Sequence, residues 1–230
     1  MIGKIKKFNF RSLLILNTFA LLVTSYLFNN FVFIGVYLLF FSISLLLTRN
    51  GLTIIKKLNF FQNIRNEGPA NHFKKSDTPT MGGIFLIVPF LIFVFLTYTH
   101  LSSVKLLLLL LTVLGFFIIG LLDDYLSIKN KKNTGLKSKE KFILQSIISI
   151  IFIILAYEKD LINPLITVSQ SWALNTNIFI FPISFLVLVG LSNSVNLSDG
   201  LDGLTTGCSS IVFYGLGTEI LIKQQQDLIV

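Results

Sequence analysis

The chain has 230 residues, 53% of them hydrophobic and 13% charged, with a mean hydropathy of +0.79. That balance lies outside the range of soluble domains and excludes a water-soluble globule as its main body. The net charge of +8 is gathered in short clusters beside apolar runs, a distribution that argues against nucleic acid as the partner and for a membrane surface.

From the N-terminus, residues 12–48 are 37 consecutive positions without Asp, Glu, Lys or Arg, more than one bilayer crossing of about 20 residues requires. Asn29 and Asn30 divide the stretch into two apolar segments. A basic opening followed by an apolar run resembles a secretory signal. No small-residue cleavage site follows Ser25 and a second apolar segment comes at once, so a retained signal anchor is expected. Further apolar runs cover residues 80–98, 106–122, 142–157, 177–195 and 204–222, the last broken only by Glu219. They are continuous rather than alternating, which favours helices over barrel strands. The expected fold is an all-α, polytopic membrane bundle of about seven transmembrane helices. It forms one membrane domain over residues 1–230, opening with a membrane hairpin at 1–57 and closing with a last span and tail at 208–230. Cys208, the single cysteine, excludes an intramolecular disulfide and suggests nothing catalytic.

Of 19 Lys and Arg, four lie in residues 1–11, six in 49–75 and six in 129–141, leaving Lys105, Lys159 and Lys223. Seven spans counted from a cytoplasmic N-terminus put all three rich clusters inside and the three single lysines outside, so parity and charge agree. Basic loops that orient the protein and touch anionic lipid account for most of these charges.

The acidic residues are more informative. Four of the eleven form two pairs that follow apolar runs, Asp123 with Asp124 and Asp199 with Asp202, and in this topology both pairs emerge on the cytoplasmic face. Adjacent carboxylates repel and need a compensating cation or proton near low dielectric. Loop lysines would serve for one isolated acid. Two pairs on one face favour Mg²⁺, a hard cation held by one or two carboxylates together with substrate phosphates and water. If residues 196–203 are helical, Asn196, Asp199 and Asp202 fall at i, i+3 and i+6, roughly along one face. Gly200 and Gly203 then allow close approach of backbone or ligand, or close helix packing.

Residues 65–86 form a third segment on the same side, with Pro69 and Pro79 and glycines at 68, 82 and 83, an ordered loop turning into a helix. Thr78 or Thr80 would cap a helix starting near Met81. Lys74 and Lys75 just before it make a plausible phosphate site with the helix-start N–H groups. His72 is open between a functional and an incidental role, and His100 reads as an interfacial bystander. The sequon at Asn196 is a chance match on the cytoplasmic side.

"GPANHFKKSDTPTMGG", "GLLDDYLSIKNKKNTGLKSKEKF" and "SNSVNLSDGLDGL", in this order and spacing, closely resemble the bacterial phospho-N-acetylmuramoyl-pentapeptide transferase family, over about residues 58–207. Related polyprenyl-phosphate N-acetylhexosamine-1-phosphate transferases share the paired aspartates, while "TPTMGG" points to the muramoyl-pentapeptide branch. The resemblance implies Mg²⁺-dependent transfer of phospho-MurNAc-pentapeptide from UDP-MurNAc-pentapeptide to undecaprenyl phosphate. The products are UMP and lipid I, at the cytoplasmic face of a bacterial plasma membrane. It places Asp123, Asp124 and Asp199 at the metal and the reacting phosphates, with Asp123 one proposal for a base. It places Asn196 and Asp202 in the donor pocket, and Lys75, Thr80 and Lys139 along the nucleotide or phosphate region; His72 is counted with these substrate-binding candidates on the residue reading alone. Membrane lipid and a homodimer are further expected partners, and nucleic acid is not one.

Three departures accompany the resemblance. Asp77 stands where the family has glycine, Ser127 stands where a basic residue is common, and the chain reaches Val230 before a further family aspartate and a histidine-rich loop. The chain as written is therefore expected not to turn over. The alternatives are a UDP-GlcNAc-using transferase, a non-catalytic membrane scaffold, and a transporter, whose acids should lie in mid-membrane rather than after the spans.

Overall fold

The computed structural model describes residues 15, 18, 19, 22, 23, 26, 31–61, 79–97, 103–131, 135–169, 172–199 and 204–227. Among these, six helices run in order: α1 (Phe31–Lys57), α2 (Ile84–Thr97), α3 (Ser103–Asn130), α4 (Ser138–Glu158), α5 (Ile180–Ser198) and α6 (Leu204–Asp227). An antiparallel hairpin of β1 (Leu165–Ser169) and β2 (Trp172–Asn175) lies between α4 and α5. A 3-10 turn, Asn177–Phe179, leads from it into α5. The protein is mostly helical, and the hairpin is an element that the continuous apolar runs did not announce.

Four stretches among the described residues are long and apolar enough to cross a bilayer: Ile34–Lys57, Val104–Asn130, Ser138–Glu158 and Asn177–Ser198. The expected count of seven is not confirmed among the described residues. The first expected span lies largely outside the described residues. Helix α2 has 14 residues, about 21 Å of rise against a hydrocarbon core of about 30 Å. Helix α6 dilutes its apolar residues with Thr206, Gly207, Ser209, Gly215, Glu219 and the glutamines after Lys223. Helices α1 and α4 end in matching fashion. Asn59 and Asp160 take φ of 57° and 53°, while Phe60 N–H reaches the Ile55 carbonyl at 3.2 Å and Leu161 N–H the Ala156 carbonyl at 2.9 Å. A left-handed residue with this six-to-one bond satisfies carbonyls that a helix end would orphan.

The chain divides into two compact units, residues 40–192 and residues 1–39 with 193–230. In the first, Phe40 meets Phe93 edge-on at 5.0 Å, and Gly51 lies so close to the Phe85 ring that a Cβ there would overlap it. Those contacts seat α1 on α2. A Cβ on Gly115 of α3 would come within 2.8 Å of Ile148 on α4. Helices α4 and α5 meet through Tyr157 and Phe181, 5.1 Å apart, and through Gln145, whose Nε2 donates to Ser192 Oγ at 3.3 Å. Gln145 and Ser149 are fully buried, and Ser149 Oγ finds no hydrogen-bond partner among the described residues. The core is thin. Leu107, Ile118, Ile147, Ile154, Leu186 and Leu191 are all exposed, as expected where lipid, not protein, covers the outer helix faces.

One end of this unit collects four chain segments. Phe61 bridges to Pro79, Thr80 N–H donates to the Phe60 carbonyl at 3.0 Å, and the lower turns of α3 meet the starts of α2 and α4. Pro164 and Thr176 close the opposite end. In the second unit, Ser198 Oγ accepts from or donates to Thr205 Oγ1 at 3.1 Å, tying the end of α5 to the start of α6.

Candidate active site

The turn before α2 is built around an unusual residue. Met81 has φ of 66°, in the left-handed region that non-glycine residues seldom occupy. That conformation turns its N–H toward Asp124, whose Oδ2 accepts it at 3.0 Å, and the Thr80 hydroxyl bonds the same carboxylate. The first bonds of the turn follow: Ile84 N–H to the Met81 carbonyl at 3.3 Å and Phe85 N–H to the Gly82 carbonyl at 3.1 Å. Thr80 is therefore a tether rather than the expected helix cap. The anion at this helix start is Asp124, a protein carboxylate well placed against the positive end of α2.

Asp123, one residue earlier, serves a different neighbour. Its Oδ1 accepts Leu136 N–H at 2.8 Å and its Oδ2 accepts Lys141 Nζ at 2.9 Å. The ion pair is partly buried, with the lysine side chain 16% and the aspartate side chain 25% exposed. The loop can fold back this far because residue 135 is glycine. A Cβ there would overlap the Asp123 carbonyl, and a backbone atom cannot swing aside as a side chain can. Just beyond, Lys137 N–H donates to Glu140 Oε2 at 2.9 Å, securing the start of α4. Burial holds the Asp124 carboxyl above the usual carboxylate range, and the Lys141 charge only partly offsets the repulsion from Asp123.

Of the expected site residues, Thr80, Asp123 and Asp124 come together in the unit of residues 40–192. Lys139 is exposed on the first turn of α4, and the amine that reaches Asp123 belongs to Lys141, which the sequence reading did not single out. A signal for it existed. Lys137, Lys139 and Lys141 crowd a helix start, where the macrodipole disfavours cations, so a nearby anion was needed to hold one of them. Asn196 and Asp199 belong to the other unit, both exposed. α5 ends at Ser198 and Asp199 sits in a turn; the rest of the helical face expected across residues 196–203 lies outside the described residues. Ser198 Oγ bonds back to the Val195 carbonyl at 2.9 Å, closing the helix just before glycine-rich sequence that propagates helix poorly. His72, Lys75, Asp77 and Asp202 lie outside the described residues. No cluster of three or more His, Cys, Asp or Glu able to hold a metal occurs among the described residues.

Comparison with known proteins bears on this arrangement. Residues 106–230, more than half of the chain, match the model of glycosyl transferase family 4. The chain belongs to that family. Residues 75–87, which contain the Thr80–Met81 turn, match signature 1 of the phospho-N-acetylmuramoyl-pentapeptide-transferases. Proteins of that name are similar along the whole chain. One from Prochlorococcus marinus (strain MIT 9301) is 76% identical over 230 residues, and one from P. marinus subsp. pastoris is 57% identical over 230 residues. A more distant one, from Halalkalibacterium halodurans, is 38% identical over 178 residues, covering 76% of this chain and 55% of its own length. The chain spans 64% of the length of the two Prochlorococcus relatives.

Proposed function

We propose that this protein supplies the metal and phosphate-handling part of a phospho-N-acetylmuramoyl-pentapeptide transferase. The reaction moves phospho-MurNAc-pentapeptide from UDP to undecaprenyl phosphate, releases UMP and makes lipid I for peptidoglycan. The observation that carries the reading is the attachment of Thr80 and Met81 to Asp124. It joins the stretch bearing the transferase signature to the aspartate pair inside the family match.

Mg²⁺ is the cofactor of this proposal, and the donor chemistry fits it. Each carboxylate offers about four lone-pair sites, and Asp123 and Asp124 each spend two on protein donors, leaving hard oxygens of the kind Mg²⁺ takes. Bound there, Mg²⁺ would neutralise charge on the transferring phosphate and polarise its oxygens. Lys141 keeps the pair compact before metal arrives. Lys137 and Lys139, exposed at the start of α4, present cations to an anionic donor. Asn196, Asp199 and Asp202, with His72 and Lys75, are assigned to the donor and metal on their motifs alone. Lys56, Lys57, Lys129, Lys131, Lys137 and Lys139 are exposed at the end of the 40–192 unit that carries Asp123, which supports a cytoplasmic site in a bacterial plasma membrane.

The test grafts residues 1–230 in place of the matching part of the 76%-identical relative, because the chain spans 64% of that length. In lipid nanodiscs with undecaprenyl phosphate, the graft should release UMP from UDP-MurNAc-pentapeptide only with Mg²⁺, and residues 1–230 alone should not. Asp123→Asn, Asp124→Asn and Asp199→Asn should each cost at least roughly a hundredfold in turnover, since phosphate-charge stabilisation is worth several kcal/mol. Near-parental turnover of the Asp124→Asn graft would sink the site. Release from UDP-GlcNAc alone would assign the chain to the GlcNAc-1-phosphate transferases.

A further inference from the structure

Residues 161–198 contain no Asp, Glu, Lys, Arg or His. They include the hairpin β1–β2 as well as a membrane-crossing helix, so a connector at the end of two spans has no ionisable group. It is also rich in uncovered apolar side chains. Leu161, Leu165, Ile166 and Leu174 are exposed, and the turn that follows leaves Ile178 72% and Phe179 67% exposed. Ile166 and Leu174 are direct cross-strand partners, as are Thr167 and Ala173. Because side chains alternate along a strand, Ile166 and Leu174 share one face of the hairpin and Ala173 lies on the other.

The hairpin is fixed in place rather than trailing. Thr176, buried, donates both its N–H at 2.9 Å and its hydroxyl at 2.7 Å to the Pro164 carbonyl. Asn163 Oδ1 accepts Leu165 N–H at 2.9 Å, and Asn175 Oδ1 accepts Asn177 N–H at 3.1 Å. These bonds clamp both strands to the entry of the span Asn177–Ser198. Ile178 and Phe179 belong to that span, whose Ile183, Leu186, Val187 and Leu191 are also exposed. The apolar surface of the span therefore continues onto the connector that precedes it.

We propose that the hairpin docks on lipid, with the Ile166–Leu174 face in the headgroup–acyl boundary of the leaflet opposite the Asp123 end. The partner is the bilayer itself, held by apolar contact. The uncharged sequence gives no preference for anionic headgroups, in contrast to lysine-rich interfacial segments. Such docking would fix the α4 and α5 ends in depth without using the transfer chemistry, so this proposal fails or stands apart from the proposed activity.

The test places single cysteines at Ile166, Leu174, Ala173 and Lys159 in a Cys208→Ala background, labels each with a nitroxide and reconstitutes the protein in zwitterionic nanodiscs. Helical circular dichroism confirms that each variant is folded. Collision with oxygen should exceed collision with a water-soluble nickel chelate severalfold at 166 and 174, and the order should reverse at 173 and 159. Nickel access at 166 and 174 equal to that at 159 would put this face in water and overturn the proposal. Protection from both reagents, with or without spin–spin broadening from a second copy, would mean that protein covers the face and would overturn it equally.

Discussion

Lys141 offers the sharpest test of the site, because it is the cation that the metal would have to share. Two unit charges 2.9 Å apart attract by about 6 kcal/mol at an effective dielectric of about 20. Desolvation and the entropy of ordering a lysine, about 2 kcal/mol, offset most of that. With 16% and 25% exposure the pair falls between surface pairs worth about 0–1 kcal/mol and buried pairs whose rupture costs about 3–5 kcal/mol. A net contribution of about 1–3 kcal/mol follows. Lys141→Gln should therefore lower the thermal midpoint by about 2–4 °C for each kcal/mol lost, while Asp123 keeps its bond from Leu136. The same change should strengthen Mn²⁺ binding, used as a paramagnetic stand-in for Mg²⁺, by about tenfold for each 1.4 kcal/mol. The carboxylate pair no longer has to release or share a cation. Both quantities are read on purified protein in nanodiscs, by differential scanning fluorimetry and by a Mn²⁺ titration followed by electron paramagnetic resonance. Lys141→Arg keeps the charge and should leave Mn²⁺ affinity near its parental value. A lowered midpoint with unchanged or weaker Mn²⁺ binding in Lys141→Gln would refute the reasoning, leaving Lys141 as a brace and Asp123 outside the metal site.

Three further outcomes are expected. Gly135→Ala drives a Cβ into the Asp123 carbonyl and should destabilise by about 1–3 kcal/mol; an unchanged midpoint would mean that the loop does not pass so close. Ser149→Ala removes a buried hydroxyl that has no partner among the described residues and should be neutral or stabilising by about 1 kcal/mol, against the usual loss for a polar change in a helix interface, and thermal unfolding decides. Cysteines placed singly at Lys57, Asn130 and Ser198 in a Cys208→Ala background should resist an impermeant thiol reagent in intact cells. Those at Ser103 and Ser169 should react, and labelling at 130 from outside would reverse the topology.

The parts of the fold that were legible in the sequence are those fixed by the solvent. Runs such as residues 106–122 and 142–157 must be helical because lipid satisfies no backbone group, and α3 and α4 contain them. The hairpin was less legible. Residues 158–176 contain no Asn-Gly or Asp-Gly of the kind that marks a two-residue turn. Spacing suggested one face through Asn196, Asp199 and Asp202; α5 is described as far as Ser198, whose hydroxyl bonds back to the Val195 carbonyl, and Asp202 lies outside the described residues. In the site, the carboxylates were legible as charges needing compensation. Their individual partners were not, since those partners lie 43 residues before Asp124 and 18 residues after Asp123.

Adjacency in sequence suggests that Asp123 and Asp124 act as one group, but a helix separates neighbouring residues by about 100° around its axis. The pair is therefore a fork. Asp124 reaches toward the start of α2 and Asp123 toward the start of α4, so each carboxylate holds a different segment at the same end of the 40–192 unit. The two asparagine variants should then differ in stability even if both abolish turnover. Asp124→Asn retains an oxygen able to accept Met81 N–H, so its thermal midpoint should stay close to the parental value. Asp123→Asn leaves Lys141 without its counter-ion and should lose about 1–3 kcal/mol, a deficit that high salt narrows by screening the parental pair. Equal destabilisation of the two variants at low salt would show that the carboxylates act on a shared partner and that the division between α2 and α4 is wrong.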